Sequence, residues 1–388
     1  MLLSDGEIHL LVRQTHPFYY QDTQRCSPWM SDKALSLFLP VAVYWASCTF
    51  YHMLDVLRPA FSEKYRMHPS EQLTKRNRVS MRNVLFMVAS QHLLQTILGI
   101  IVLEDTPYDG VRRTDVDPEA GVLRIANILR HYLELDRSGD IFLVRAAIAL
   151  YWWGIPWLQF WFGCFVMDAW QYILHRSMHE VRWLYRVLHS HHHRLYVPYA
   201  FGALYNHPLE GVLLDTLGAA VAQELSRMTL RQSIPFFCIA TYKTVSDHCG
   251  YAFPWYYHPF HLLFPNNAEY HDVHHQSQGL RYNYSQPFFV HFDTVLGTRI
   301  DPEEFHALLA QKAEKSDALD SNVSGAVEHT RARALTAQPK RAPAKKTKNA
   351  LRKPISSYST ASVWSVFLFS TILTVPIVAY TVNTGTVM

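Results

Sequence analysis

The polarity pattern of this chain is dominated by long stretches without a formal charge. Ala34 to Leu54 is an uncharged run of 21 residues between Lys33 and Asp55, and Val84 to Leu103 is a second, of 20, between Arg82 and Glu104. Each matches the roughly 20 apolar residues that cross a bilayer as a helix. Ala146 to Met167 is a third run, holding Trp152, Trp153, Trp157 and Trp161 with Pro156 among them. A fourth follows Lys353, beyond which nothing is charged and Ser362 to Tyr380 is strongly apolar. Soluble domains rarely need four such runs, so the pattern predicts spanning helices. Between Gly211 and Val245 the apolar stretches are shorter and are interrupted by Asp215, Glu224, Arg227 and Arg231. That predicts a helical hairpin that enters the bilayer and returns.

The basic residues orient these spans. The loop Asp55 to Asn83 carries seven Lys and Arg, against three in Met1 to Lys33. Glu104 to Asp140 carries five with nine acids, and Arg331 to Lys353 carries nine with no acid. The Asp55 loop and the last segment therefore read as cytoplasmic, and the third crossing delivers the chain to the cytoplasm just before His175. His306 to Lys353, rich in Ala, Lys and Ser, reads as a disordered tether. No positive segment, short apolar core and cleavage site occur in order, so no cleaved signal peptide is expected. The organisation expected is an N-terminal region 1–140 with two spans, a part 141–305 carrying the chemistry, a basic linker 306–353 and a final helix 354–388.

Composition narrows the function. Charged residues are only 18% and aromatics 14% of the 388 residues, and the formal net charge is +4. That charge is too small to argue for nucleic acid, and no basic stripe interleaves with the aromatics. Five scattered cysteines exclude a disulfide framework and a thiolate zinc module. Histidine is the outlier, with 22, of which thirteen lie between His175 and His275.

These histidines fall into clusters: His175-Arg-Ser-Met-His179, His189-Ser-His191-His192-His193 and His271-Asp-Val-His274-His275. Residues three and four apart share a helix face. His175 with His179, His189 with His192 and His193, and His271 with His274 and His275 therefore present eight imidazoles, with His191 off its face. Imidazole suits zinc, copper, iron and nickel. Eight ligands overfill one site and suit two. No paired Glu-x-x-His motif occurs, unlike the carboxylate-bridged di-iron bundles. Neutral ligands call for nearby carboxylates to hold the imidazole tautomers. Asp168, Glu180, Asp247 and Asp272 are placed by sequence to do so.

The three boxes resemble those of the fatty acid hydroxylase/sterol desaturase superfamily of membrane di-iron oxygenases. Tyr205-Asn-His-Pro-Leu-Glu-Gly211, Asp247-His-Cys-Gly-Tyr251 and Phe264-Pro-Asn-Asn-Ala268 resemble its sphinganine C4-hydroxylases, particularly the fungal ones. The match covers about Trp29 to Gly297. It implies an all-α, multi-pass enzyme of the endoplasmic reticulum membrane with its di-metal site facing the cytosol. The implied reaction inserts one oxygen atom from O2 at C4 of sphinganine or of its ceramide. Two iron ions are implied, with zinc an alternative in purified protein, and electrons from NADPH through a reductase and cytochrome b5. No fused cytochrome b5 domain is found. Two five-coordinate sites would need ten ligands. His248 matches a family position, but some relatives carry a second histidine where this chain has Ala252. His207 is the candidate in its place, ahead of His258 and His261. Asn206 and Tyr251 are candidate contacts for a lipid head group, and the Tyr151–Trp170 run and the Gly211–Val245 hairpin are candidate walls for its chain.

Other readings are a sterol desaturase or methyl oxidase on the same scaffold, a membrane metal transporter, and a lipid-binding scaffold with zinc in the sites. A transporter would carry its ligands near the midplane of several spans. Here the boxes lie in polar segments beyond the third run.

Overall fold

The first two apolar runs become helices whose ends lie within a few residues of the charges that bound them. Helix α1 is Asp5–Gln14. Ser31 caps α2 (Asp32–Leu57), its hydroxyl accepting from the Ala34 amide, and Arg58 closes it in the left-handed conformation. Ser80 caps α3 (Met81–Val102) in the same way through Asn83. Side-chain oxygens at these positions satisfy amides that the first turn leaves without partners. The computed structural model describes residues 5–17, 26–103, 118–134 and 141–315. Within them the regular structure is helical, apart from one antiparallel bridge joining Arg66 and Tyr251. α2, α3 and the helix of the third run are long and apolar enough to cross a membrane. The fourth run and the basic linker lie outside the described residues.

The third run extends well past its predicted end. After α4 (Pro118–Tyr132) comes α5, a helix of 40 residues from Ile141 to Glu180. At about 1.5 Å per residue α5 is about 60 Å long, twice a hydrocarbon layer of about 30 Å. Helix therefore continues out of the bilayer, and its last turns carry His175 and His179. Leu150–Gly154 forms a π-turn directly before Pro156. Pro has no amide to donate, and the wider turn accommodates the break in the ladder.

The Gly211–Val245 segment is the expected helical hairpin. α6 covers residues 208–226, with a π-turn at Val212–Thr216, and α7 is Leu230–Asp247. Arg227 in the left-handed region and a capping box on Thr229 make the turn between them. α6 packs along α5, and α7 along α2. Gly211 faces Gln91 of α3 so closely that a Cβ there would overlap the amide. α8 (Ala268–His275) and α9 (His291–Leu296) follow.

Two buried clusters hold these helices together. One joins Tyr44 and Tyr51 of α2, Val88 of α3 and Val245 of α7 to Tyr205 and Tyr251. The other joins Cys164 and Met167 of α5 to Ala222, Phe236, Phe264 and Phe288. Residues on either side of position 140 thus share a core. By contacts the chain divides at Arg299, and the first unit, through that residue, holds everything bearing on the site. In the second unit, residues 302–315 are helical. The tether expected from His306 therefore begins as helix, because Ala307 to Ala313 is rich in strong helix formers.

Outward faces of the spans carry large apolar groups, among them Phe50, Met53, Phe86, Ile97, Ile101, Trp153 and Trp157. A band this apolar fits lipid rather than water. Much of the aromatic run in α5 belongs to this band, while Phe160 and Trp161 pack inward against Phe236 and Phe264.

Candidate metal centre

Nine imidazoles converge in two adjoining groups. His175, His179, His189, His193 and His274 form one, and His192, His248, His271 and His275 the other, with the ligand atoms of each within 4.8 Å of one another. All are buried except the partly buried His179. His175 and His179 come from the end of α5, and His248 caps α7. His189 closes a π-turn at Tyr185–His189, and His192 and His193 sit in a 3-10 turn. The second box is therefore not the single helical face predicted for it. Residues 271, 274 and 275 lie on α8.

For the first and third boxes, which lie on α-helix, the division follows helical geometry. At about 100° per residue, residues four apart diverge by about 40°, and residues three apart by about 60° in the opposite sense. His175/His179, His189/His193 and His271/His275 are the i,i+4 pairs, and each pair stays within one group. His192 and His274 cross to the group opposite their box partners.

Hydrogen bonds on the outer ring nitrogen fix which nitrogen faces inward. The Nδ1 atoms of His175, His192, His248, His274 and His275 meet the carbonyl oxygens of Tyr284 (2.8 Å), Tyr205 (3.3 Å), Thr244 (2.8 Å), Tyr282 (2.7 Å) and Leu195 (2.8 Å). The Nδ1 of His189 meets Glu210 Oε1 at 2.5 Å. Carbonyls and carboxylates only accept, so each of these rings donates outward and turns a lone pair inward. The inward Nε2 atoms nonetheless approach closely. Of the rings that donate outward, His175 and His189 face each other at 3.0 Å in one group, and His248 and His192 at 3.4 Å in the other.

Two neutral rings whose protons are already used cannot hydrogen-bond to each other. Protonating them is opposed by burial, which pushes His189 and His248 down to about 3 and His192 to about 4. Facing lone pairs at this distance call for a cation between them. Metal–nitrogen bonds of about 2.1 Å give N···N edges of about 3.0 Å at a right angle and about 3.4 Å in a tetrahedron. The residues present thus fit two metal ions.

His207, the expected tenth ligand, belongs to neither group. It begins α6, its Nδ1 accepting from the Leu209 amide at 3.2 Å while its ring meets His191. A ring committed to capping a helix start is turned from the centre. His258 and His261 also lie elsewhere, 4.2 Å apart and beside Tyr242 in the case of His258.

The four carboxylates expected to hold imidazoles have other partners. Asp168 accepts from the Phe288 and Phe289 amides at 3.0 and 2.6 Å. Glu180 pairs with Arg176, Asp247 with Lys243 and Asn266, and Asp272 with His68. Among the described residues, the acid that does meet one of the nine rings is Glu210. Burial pushes its carboxyl up to about 7 while neighbouring imidazoles pull it down; a cation on His189 favours the ionised form. Asp293 is a second unforeseen member. It accepts from the Tyr284 and Ser285 amides and the Tyr270 hydroxyl, holding the Tyr284 carbonyl against His175. Glu210 lies within the quoted Tyr205–Gly211 string, where an acid among apolar residues was a usable signal. Nothing local marks Asp293.

Between the groups lies a cavity of about 30 Å³, lined by His175, His189, His192, His248, Asn206, Glu210, Asp215 and Gln171 among others. It has room for about two waters or one diatomic molecule. Asn206 is thus at the site. Tyr251 is not available to a ligand, because its hydroxyl donates to Asp55 and receives Arg66.

The fatty acid hydroxylase family model matches residues 160–298, which contain all nine imidazoles. The chain is 44% identical over 272 residues to the sphingolipid C4-hydroxylase SUR2 of Saccharomyces cerevisiae, covering 70% of this chain and 73% of that protein. It is 42% identical over 269 residues to sphinganine C4-monooxygenase 2 of Arabidopsis thaliana, covering 69% and 88%. It is also 42% identical over 276 residues to the very-long-chain aldehyde decarbonylase GL1-9 of Oryza sativa subsp. indica, covering 70% and 92%. No solved structure matches the chain. As the boxes implied, this membrane chain with its two histidine groups belongs to the fatty acid hydroxylase family, and within it is similar to the sphingolipid C4-hydroxylases.

Proposed function

We propose that this chain is a membrane monooxygenase that hydroxylates C4 of sphinganine or dihydroceramide to give phytosphingosine-type lipids. The observation that carries the reading is the pair of imidazole groups with inward-facing lone pairs, in a chain 44% identical to a sphingolipid C4-hydroxylase. No acid, base or nucleophile on a side chain attacks an unactivated aliphatic C–H bond. Two iron ions held by the nine histidines would supply the redox chemistry that activates O2. One oxygen atom enters the C–H bond as hydroxyl and the other leaves as water, consuming two electrons and two protons. NADPH, through a reductase and cytochrome b5, is the electron source in this reading.

The protein's own part is positional. Backbone carbonyls and Glu210 hold six of the nine rings with Nε2 inward, and burial keeps those rings neutral. Asn206, Gln171 and Asp215 give the cavity a polar wall, where a small oxidant or a water is held by hydrogen bonds. Gln286 and Pro287 line another side of it, in a segment tied down by the Phe288 and Phe289 amides on Asp168. Location at the endoplasmic reticulum with the centre facing the cytosol is part of the proposal. Its support is the seven basic residues of the Asp55 loop and the bond from Tyr251, three residues after His248, to Asp55 at the end of α2.

The test is a mass-spectrometric lipid profile of cells lacking their own C4-hydroxylase. Expression of the intact chain is expected to restore 4-hydroxylated long-chain bases, and expression of His192→Ala or His274→Ala is not. The name of the rice relative motivates a second arm. Alkanes formed from a supplied long-chain aldehyde, with bases unchanged, would favour decarbonylation, and altered sterols would favour a sterol oxidase.

A further inference from the structure

The first unit carries an aromatic ridge that the metal centre does not use. From His248 to Ala268 there is no Asp, Glu, Lys or Arg. Within this stretch Trp255, Tyr256, Tyr257, Leu262 and Leu263 are each more than half exposed. Burial pushes His258 down to about 3 and His261 to about 4, so the ridge is uncharged at neutral pH. A contiguous apolar surface of this kind marks an interaction site.

The ridge is held in place. Its start is pinned to the segment after α2 by the Met67 amide on the Gly250 carbonyl (3.0 Å) and the Ala252 amide on the Tyr65 carbonyl (2.8 Å). The Tyr256 and Tyr65 hydroxyls are 3.1 Å apart, and the Tyr257 ring packs on Phe61 at 5.9 Å. Its surface therefore adjoins the end of α2, where Met53, Val56, Leu57 and Phe61 are also exposed. The exposed apolar side chains at the end of α2 reach the ridge through Phe61, which packs on Tyr257, and the exposed Arg58 and Lys64 lie at this junction. Trp and Tyr beside an apolar run, with cations at the edge, fit the headgroup layer of a bilayer.

We propose that residues 255–263 are inserted in the interfacial layer of the leaflet in which α2 ends, docking the histidine-bearing part against the membrane surface at a place separate from the spans. The occupant is lipid, by continuity with the outward face of α2. This is independent of which lipid is the substrate.

Spin labels test it in the full chain reconstituted in vesicles, with the half-buried Cys26 and Cys238 replaced by serine. Labels at Trp255→Cys and at Leu263→Cys are expected to collide with oxygen several-fold more often than with a water-soluble nickel complex. The lipid-facing Phe50→Cys sets the upper reference, and the exposed Glu71→Cys, expected to show the reverse ratio, sets the aqueous one. Bound metal per chain is measured on each labelled sample to confirm that it is folded, and Leu262→Cys replaces any variant that loses its metal. A nickel-dominated ratio at both ridge positions would overturn the proposal. So would low collision with both probes, which means protein covers the ridge, either residues 316–388 or a second copy.

Discussion

The two histidine groups use the same ligand type and differ in what stands behind it. The five-ring group has a carboxylate, Glu210, on His189, and a partly buried ring, His179. The four-ring group is fully buried and is backed by the carbonyls of Tyr205, Thr244 and Leu195, with no carboxylate on its rings among the described residues. Its brace lies one layer out. The Lys243–Asp247 pair ends α7 just before His248, and Lys243 also donates to the Asn266 carbonyl at the start of α8. One group is thus tuned by a neighbouring charge and the other is fixed by the packing of two helix ends. Identical ligands in unequal settings should respond unequally to loss.

The largest effect separates the groups by ligand count. His271→Ala leaves three imidazoles in its group, and metal per chain is expected to fall by one ion. His179→Ala leaves four in the other, and that ion is expected to stay. Both should lower turnover by more than about 100-fold, since even outer partners of a metal ligand contribute about 10–100-fold. Equal metal loss in the two variants, by elemental analysis, would contradict the division.

Asp247→Asn comes next. It strands a buried lysine, a change that costs about 3–5 kcal/mol, and thermal unfolding in detergent should show it. Replacing both residues of the pair with apolar ones should cost less. If the single change is silent, the ion pair does not brace the four-ring group.

Glu210→Ala is expected to weaken metal binding at the five-ring group alone, by about 10–100-fold. Glu210→Gln should do less, because its amide oxygen still accepts from His189 Nδ1. Chelator competition on the two-ion protein reads both, and equal weakening of the two ions would break the comparison.

The smallest effects belong to the acids placed by sequence alone. Glu180→Gln and Asp272→Asn remove partly exposed pairs, each contributing about 0–1 kcal/mol, and turnover should change by less than about five-fold. His207→Ala should leave two ions per chain, since its ring caps α6; loss of one would restore it to the ligand set.

Much of this protein is legible in its sequence. The ends of α2 and α3 fall within about three residues of the uncharged runs, because a hydrocarbon layer and a helix rise dictate both. That the eight box histidines would come together was legible in their three- and four-residue spacing, whereas His248 entered only through the family resemblance. The end of α5 was not legible: loss of hydrophobicity after Met167 marks where lipid stops, not where helix stops. Nor were the outer partners. Asp168 and Asp247 are buried as expected of functional acids, yet they bind the amides of Phe288 and Phe289 and the ammonium of Lys243.

By itself the sequence determined an all-helical membrane chain, three of its long apolar helices, and a surplus of imidazoles that no single ion could use. Only the tertiary structure decided which rings group together, that His207 lies outside both groups, and that Glu210 and Asp293 stand behind the rings. The physical reason is range. Spans and boxes are written in local periodicity, whereas a ring's partner is set by where distant segments meet. Tyr284 reaches His175 from 109 residues away, and Leu195 reaches His275 from 80.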